Sequence, residues 1–334
     1  MIYFSITILF SFILLFFNKQ ISKIYNVFDY PDFDRKIHKI PVSLLGGLFI
    51  FLNFFTLFLI DYFNFFESLN LFYTDKEFLF LAFGVISFFL VGYFDDKKSI
   101  SPNLKLILII IIVFFSLFLD DDLLLKKLKF SFFHKDVNFY FFNYFLTILC
   151  FALFINALNM LDGINCQVAA YVSFILIIFI AKGILIYLSF LLLISVFAFS
   201  ILNFQNKIYF GDSGTLVLGF IISYFFLKTY NVQNAFYADE IFLIMCIPGY
   251  ELLRLFFKRI YLRKNPFQPD QNHIHHLLLK KFDYAKTFLL IQLVLVFPYL
   301  LFYIFNNFFI SFFLSTFLYL SLIINVSKNN NGKI

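Results

Sequence analysis

Long apolar stretches recur along the chain with short polar breaks between them. An α-helix needs about 20 residues to cross a hydrocarbon core about 30 Å thick. Runs of about that length begin at Ile2, Val42, Phe78, Leu104, Phe139, Val168, Ile184, Thr215, Ile241, Thr287 and Phe308. The run from Val168 to Ala181 is short, and Lys182-Gly183 separates it from the next. This pattern predicts an all-α, polytopic membrane protein of about eleven transmembrane helices, with residues 1–334 forming one integral-membrane domain. No linker is long enough to divide it, and no internal repeat is visible.

Composition removes the alternative of a soluble core. Hydrophobic residues make up 62% of the chain and charged residues 14%, against roughly 45–50% and about 25% in soluble domains. Lipid must cover the excess. With no Trp, an interfacial aromatic belt falls to the 20 Tyr. Cys150, Cys166 and Cys246 show no paired spacing, which argues against a disulfide framework or a zinc cage.

Charge supplies the orientation. The first run has no basic residue before it and no small-residue cleavage site after it, and Lys19 and Lys23 follow it directly. Basic residues tend to stay in the cytoplasm. An outside N-terminus and a cytoplasmic C-terminus are therefore predicted. With eleven alternating spans, 19 Lys and Arg fall inside and 7 outside. The net charge of +6 is then a loop property, and no nucleic-acid partner is implied.

On this topology five polar clusters sit at cytoplasmic helix ends. They are Arg35-Lys36-Ile-His38-Lys39, Asp95-Asp96-Lys97-Lys98, Asn156-x-x-Asn159-x-x-Asp162-Gly163, Gly211-Asp212-Ser213-Gly214, and Pro269-Asp270-x-x-His273-x-His275-His276. The outer Asp120-Asp121-Asp122 run, followed by Lys126, Lys127 and Lys129, reads as a solvated loop. Asp95 and Asp96 oppose the macrodipole at a helix C-terminus, a cost that a phosphate or Mg²⁺ would offset. Asn156, Asn159 and Asp162 share one helix face. A helix–helix hydrogen-bond ladder would explain them, but polar groups within a membrane helix are functional candidates by default. Gly211–Gly214 leads into the helix predicted from Thr215. An N-cap is the ordinary reading, yet free N–H groups there also suit a pyrophosphate. The histidines lack the i, i+4 spacing of a zinc pair. Hard Mg²⁺ prefers the aspartates. Carboxylates, basic groups and a helix N-terminus on one membrane face describe phosphoryl transfer onto a lipid phosphate.

The order Arg35-Lys-Ile-His-Lys-Ile-Pro41, Gly46-Gly47, Asp95-Asp96, Asn156-Ala-Leu-Asn-Met-Leu-Asp-Gly163, Gly211-Asp-Ser-Gly214 and His273-Ile-His-His276 resembles the polyprenyl-phosphate N-acetylhexosamine-1-phosphate transferases, glycosyltransferase family 4. Asn265-Pro-Phe-Gln-Pro-Asp270 is similar to the undecaprenyl-phosphate N-acetylglucosamine-1-phosphate branch, whereas the phospho-N-acetylmuramoyl-pentapeptide branch usually shows a different histidine run. The resemblance implies transfer from a UDP-N-acetylhexosamine to undecaprenyl phosphate, at the cytoplasmic face of a bacterial inner membrane, with Mg²⁺ or Mn²⁺ as cofactor. It allows a homodimer. It makes Asp212 the principal metal ligand, with Asp95 beside it. Asp95, Asp96, Asp162, His275 and His276 become catalytic positions. Lys36, His38, Lys105, Asn156, Asn159, Asn165, Asp270 and His273 become substrate contacts, and Tyr209 a partner for uracil.

Three positions depart from the family pattern: Cys166 where glycine is usual, expected to narrow the nucleotide pocket, Asn165 where Asp is frequent, and Glu251 where many members carry Asp. Two competing readings are an ion- or proton-coupled transporter, which predicts acids near mid-span, and a non-catalytic lipid-phosphate binder.

Overall fold

The computed structural model describes residues 2–31, 40–63, 74–266, 270 and 272–328. A helix stands at each of the eleven apolar runs. In chain order these are α1 (Ile2–Phe16), α3 (Gly46–Tyr62), α4 (Asp75–Lys97), α5 (Pro102–Leu119), α6 (Asn143–Leu161), α7 (Gln167–Ala181), α8 (Ile186–Phe204), α9 (Gly211–Asn231), α10 (Ala238–Tyr261), α12 (Tyr284–Phe305) and α13 (Phe308–Lys328). Two short helices complete the set, α2 (Asn18–Tyr25), bent by 75° from α1, and α11 (Ile274–Leu279). Among the described residues, seven helices are long and apolar enough to cross a membrane: α4, α5, α6, α8, α9, α12 and most of α13. The bent α1–α2 pair makes an eighth if taken as one span, while α3 and α7 are apolar but shorter.

Two small antiparallel sheets were not foreseen in the loops. β1 (Phe28–Asp29) pairs with β2 (Val42–Ser43), and Ser43 bridges on to Ile208. β3 (Lys127–Phe130) and β4 (Phe133–Asn138) form a hairpin in the loop between α5 and α6. Its tip is fixed to the start of α10, where the Ser131 N–H and hydroxyl both donate to Asp239, at 2.8 and 2.5 Å. The preceding Asp120-Asp121-Asp122 run is solvated only in part. Asp121 and Asp122 are exposed, but Asp120 is buried and accepts the Asp122 N–H at 3.1 Å.

The centre of the bundle is α9. It is buried from Ser213 to Tyr230 and packs on α3, α4 and α6. Close approach depends on missing side chains: a Cβ on Gly92 of α4 would lie 2.2 Å from Ser213 Cα. Interfaces of this kind, built on small residues, let helix backbones approach closely in lipid. The consequence is functional, because Gly92 lies one turn before Asp95 and Asp96. In α10, Pro248 has no N–H to give to Ile244, and the Tyr171 hydroxyl donates to that carbonyl instead, at 2.5 Å.

Candidate active site

The last turn of α4 meets the first turn of α9. The helix starts at Gly211 rather than Thr215, so Asp212 is its second residue. Asp96 accepts the Asp212 N–H on Oδ1 at 2.7 Å, and both the Ser213 N–H (3.1 Å) and hydroxyl (2.7 Å) on Oδ2. The positive end of α9 is therefore occupied by a carboxylate of the protein itself, not left open for a pyrophosphate as expected from sequence. Gly211 makes this possible. It adopts φ +66°, and a Cβ there would lie 2.6 Å from Asp96 Oδ2.

The unfavourable placement of two acids at the α4 C-terminus is thus offset from within the chain. Asp96 has the α9 amides. Asp95, buried, accepts the Ile100 N–H on Oδ1 at 2.6 Å and pairs through Oδ2 with Lys105. Ser101 and Pro102 start α5 in a way that brings Lys105, one turn in, to this point: the Ser101 hydroxyl accepts the Leu104 N–H, and Pro occupies the first helical position.

Lys105 also donates to Asp212 Oδ1 at 2.7 Å, which places one ammonium between two carboxylates. Asn159 donates its amide to the same oxygen at 2.8 Å. Its amide is oriented by Thr215, whose hydroxyl donates to Asn159 Oδ1 at 2.7 Å. Thr215 was missed in the sequence because it reads as the first residue of an apolar run. Asp212 is the open member of the group. Its side chain is 28% exposed against 4% for Asp95, and among the described residues Oδ2 accepts no hydrogen bond.

The other predicted positions lie around the same cleft. Asn156, Asn159 and Asp162 all line it, with Asn156 tied back to Ala152 O at 2.7 Å and Asp162 ending α6. At the next residue the histidine segment closes over α6: a Cβ on Gly163 would lie 2.0 Å from the His275 ring. His273, His275 and His276 cluster, with ring centroids of the first two 5.3 Å apart and of the last two 4.3 Å. Burial pushes the His273 imidazole down to about 4 and holds His275 well below its ordinary range. Both are neutral at physiological pH, so positive charge in the cleft comes from Lys105 and from Arg259, the latter paired with Asp270. Asp270 does not face the histidines alone, since it accepts from Arg259 Nε at 2.8 Å and from Asn272 N at 2.7 Å.

Asn165 and Tyr209 form the opposite rim. Tyr209 is set by its backbone, donating to Ser43 O and accepting from Gly46 N, both at 2.9 Å, while Gly47 N donates to Phe210 O at 3.1 Å. The Gly46-Gly47 pair thus fixes the approach to α9. Buried Asn203 ties both rim segments together, accepting from Cys166 N (2.6 Å) and donating to Ile208 O (2.8 Å). The Cys166 thiol does not narrow the cleft as expected. It turns toward α8, 3.6 Å from Ser200 O. Its backbone explains why glycine suits the position, since Cys166 sits at φ 60°, ψ 0°. Asn165 donates to Asn206 Oδ1 at 2.6 Å, a bond an Asp could not make.

The cleft has a volume of about 1780 Å³. Its polar end holds Asp95, Asp96, Lys105, Asp212 and the histidines. Its other wall is apolar, with Leu106, Ile110, Ile148, Leu149, Leu252 and Phe256 from α5, α6 and α10. Lys36 and His38 lie outside the described residues. Among the described residues no three His, Cys, Asp or Glu side chains could hold a metal between them. The free Asp212 oxygen is the donor type that a hard divalent cation takes. Asp95, expected as a second ligand, has both oxygens engaged.

Residues 78–230 match the model of glycosyl transferase family 4. The chain is 28% identical over 301 residues to the undecaprenyl-phosphate alpha-N-acetylglucosaminyl 1-phosphate transferase of Escherichia coli (strain K12), covering 85% of this chain and 78% of that protein. It is 26% identical over 306 residues to the protein of the same name from Yersinia pestis, with the same coverage. The Thermotoga maritima protein of that name is 26% identical over 272 residues, covering 79% and 76%. The matched segment carries Asp95, Asp96, Lys105, Asn159, Asp162 and Asp212, the residues that meet in the cleft. Residues 78–230 thus carry the glycosyl transferase family 4 pattern, in a chain whose described residues include seven helices long and apolar enough to cross a membrane.

Proposed function

We propose that the chain transfers N-acetylglucosamine 1-phosphate from UDP-N-acetylglucosamine to undecaprenyl phosphate, releasing UMP. A phosphate oxygen of the lipid would attack the phosphorus that carries the sugar. The bond from that phosphorus to the UMP oxygen breaks, and a lipid-linked sugar diphosphate forms, the first intermediate of an envelope glycan. The observation that carries this reading is the convergence of the described motifs on one cleft, where Asp212 keeps one carboxylate oxygen free beside Lys105. The names of the relatives support the sugar and the lipid.

Within this reading the side chains divide by role. Asp212 would hold the Mg²⁺, or Mn²⁺ in its place. Bound there, the cation would neutralise charge on the donor's diphosphate. Lys105 supplies a second positive charge at the same point. Asp95 and Asp96 position rather than react, one holding Lys105 and the other the N-terminus of α9. Asp162 is the exposed carboxylate of the cleft and the candidate to take the acceptor's proton. The neutral histidines suit hydrogen bonding to phosphate, and the buried His273 Nδ1 has no partner among the described residues. The apolar wall suits the prenyl chain. The acids sit at helix ends, in the last turn of α4, the C-terminus of α6 and the first turn of α9, which disfavours a transporter.

We infer eleven spans, an outside N-terminus and a cleft on the cytoplasmic face of the inner membrane. Cysteines placed at Lys97 or Lys280 are expected to resist impermeant thiol reagents in intact cells. For the chemistry, Asp212→Asn keeps the hydrogen bonds' geometry but removes the charge, and turnover should fall by about 10³-fold or more with folding intact. Turnover near the wild-type rate with an unchanged Mg²⁺ requirement would refute the assignment.

A further inference from the structure

The histidine segment is held from a helix that none of the motifs includes. Glu251 of α10 is buried, 3% exposed, and its carboxylate gathers four donors. Arg254 gives Nη2 to Oε1 at 2.7 Å and Nε to Oε2 at 3.0 Å. The Ile274 N–H donates to Oε1 at 2.7 Å. The fourth donor is the hydroxyl of Tyr319 on α13, 2.7 Å from Oε2. Arg254 Nη2 also donates to the Asn272 carbonyl at 2.7 Å. The two backbone groups that flank His273 are thus both held by the one Glu251–Arg254 pair.

An ion pair three residues apart on a helix retains rotamer freedom, and ordering long side chains carries an entropic cost. Tyr319 removes that freedom. It is buried, and its oxygen accepts Arg254 Nε at 3.1 Å while its proton goes to Glu251, closing a triangle of three side chains. We propose that Tyr319 is a positioning residue of the active site, through which the last helix, α13, fixes the conformation of the His273–His276 segment. Its effect on catalysis rests on the transfer reaction proposed above; its effect on the segment does not.

The control lies one turn away. Tyr250 and Thr316 form a further hydrogen bond between α10 and α13, at 2.8 Å, in which the Glu251 side chain takes no part. Tyr319→Phe keeps the ring and its packing on Tyr250, 5.6 Å between centroids, and deletes only the hydroxyl. Full-length protein in lipid nanodiscs is compared as wild type, Tyr319→Phe and Tyr250→Phe, by amide hydrogen exchange and by transfer kinetics. In Tyr319→Phe the Ile274 amide should exchange about tenfold faster, as fits the loss of a hydrogen bond to a charged group. The kcat/KM for the UDP-sugar should fall about tenfold, with thermal stability close to wild type. Tyr250→Phe should leave both readouts within about twofold. Unchanged exchange at Ile274 overturns the proposal. So do faster exchange with unchanged turnover and equal effects in the two variants, the latter reducing Tyr319 to a structural contact. If the wild type transfers no sugar phosphate, the proposed reaction fails, and the exchange comparison still decides what Tyr319 does.

Discussion

The two ends of the α4–α9 pair carry the same ingredients in different states. At one end Lys105 stands between Asp95 and Asp212. At the other, Lys228 of α9 pairs with Glu77 of α4 at 2.5 Å, with the buried Asp120 nearby. Each end therefore sets one lysine beside two acids at the limit of a membrane helix, and the cleft end adds Asp96 on the α9 amides. The far end is closed at its ion pair: the Lys228 and Glu77 side chains are 1% and 11% exposed, and neither lines the cleft. The cleft end is open, with Lys105 at 15% and Asp212 at 28%. A buried ion pair is weak evidence for function, because such pairs also serve packing and register. What distinguishes a site is an unengaged polar atom facing space large enough for a ligand. Asp212 Oδ2 meets that test, and the buried Lys228–Glu77 pair does not.

The comparison breaks most visibly at Lys228. Lys228→Met leaves Glu77 charged and buried without its partner, which should destabilise the fold by about 3–5 kcal/mol. Turnover per folded molecule should stay within about twofold. Lys228→Met combined with Glu77→Leu should recover most of the stability in thermal unfolding. A large loss of specific turnover would mean that the two ends are coupled through α9. Lys105→Met tests the other end. It leaves Asp95 and Asp212 facing each other without a cation and removes positive charge from the reacting group, so turnover should fall by about 10²–10³-fold. Because the cleft admits water to share the charge, stability should fall less than at Lys228. Equal losses of stability at the two ends would remove the distinction between them.

Much of this arrangement was legible in the chain. Runs of apolar residues located all eleven major helices, because lipid forces the backbone to satisfy its own hydrogen bonds and so permits only helices there. The motif aspartates and asparagines were legible because polar groups are rare in such runs. Which partner each would take was not. Asp96 reads like Asp95, yet one caps α9 and the other holds Lys105, a difference set by the close approach at Gly92. Asp120 reads as a loop acid, yet packing buries it beside a buried ion pair. Thr215, Asn203 and Tyr319 carry no local signal: each stands between apolar or glycine neighbours, and its meaning comes from the segment it bonds to. The strands β1–β4 are short and lack an alternating pattern long enough to read.

The smallest difference between the two ends is in backbone strain. α7 begins after Cys166 at the cleft end and α8 after Leu185 at the far end, and both residues are left-handed, at φ 60° and 44°. A residue with a Cβ there costs roughly 1–2 kcal/mol, part of which glycine returns through its greater freedom when unfolded. Cys166→Gly should therefore stabilise the protein by about 0.5–1 kcal/mol, since the thiol contributes only its weak contact to Ser200 O. Leu185→Gly should not, because Leu185 packs against the core and that loss, about 1–2 kcal/mol, exceeds the strain relieved. The cysteine variant also settles what the departure from glycine means for substrate choice. With the thiol directed at α8, Cys166→Gly should leave the relative rates for different UDP-sugars within about twofold. A broadened sugar range in competition assays would show instead that the side chain shapes the pocket, and that the strain at Cys166 is retained for selectivity.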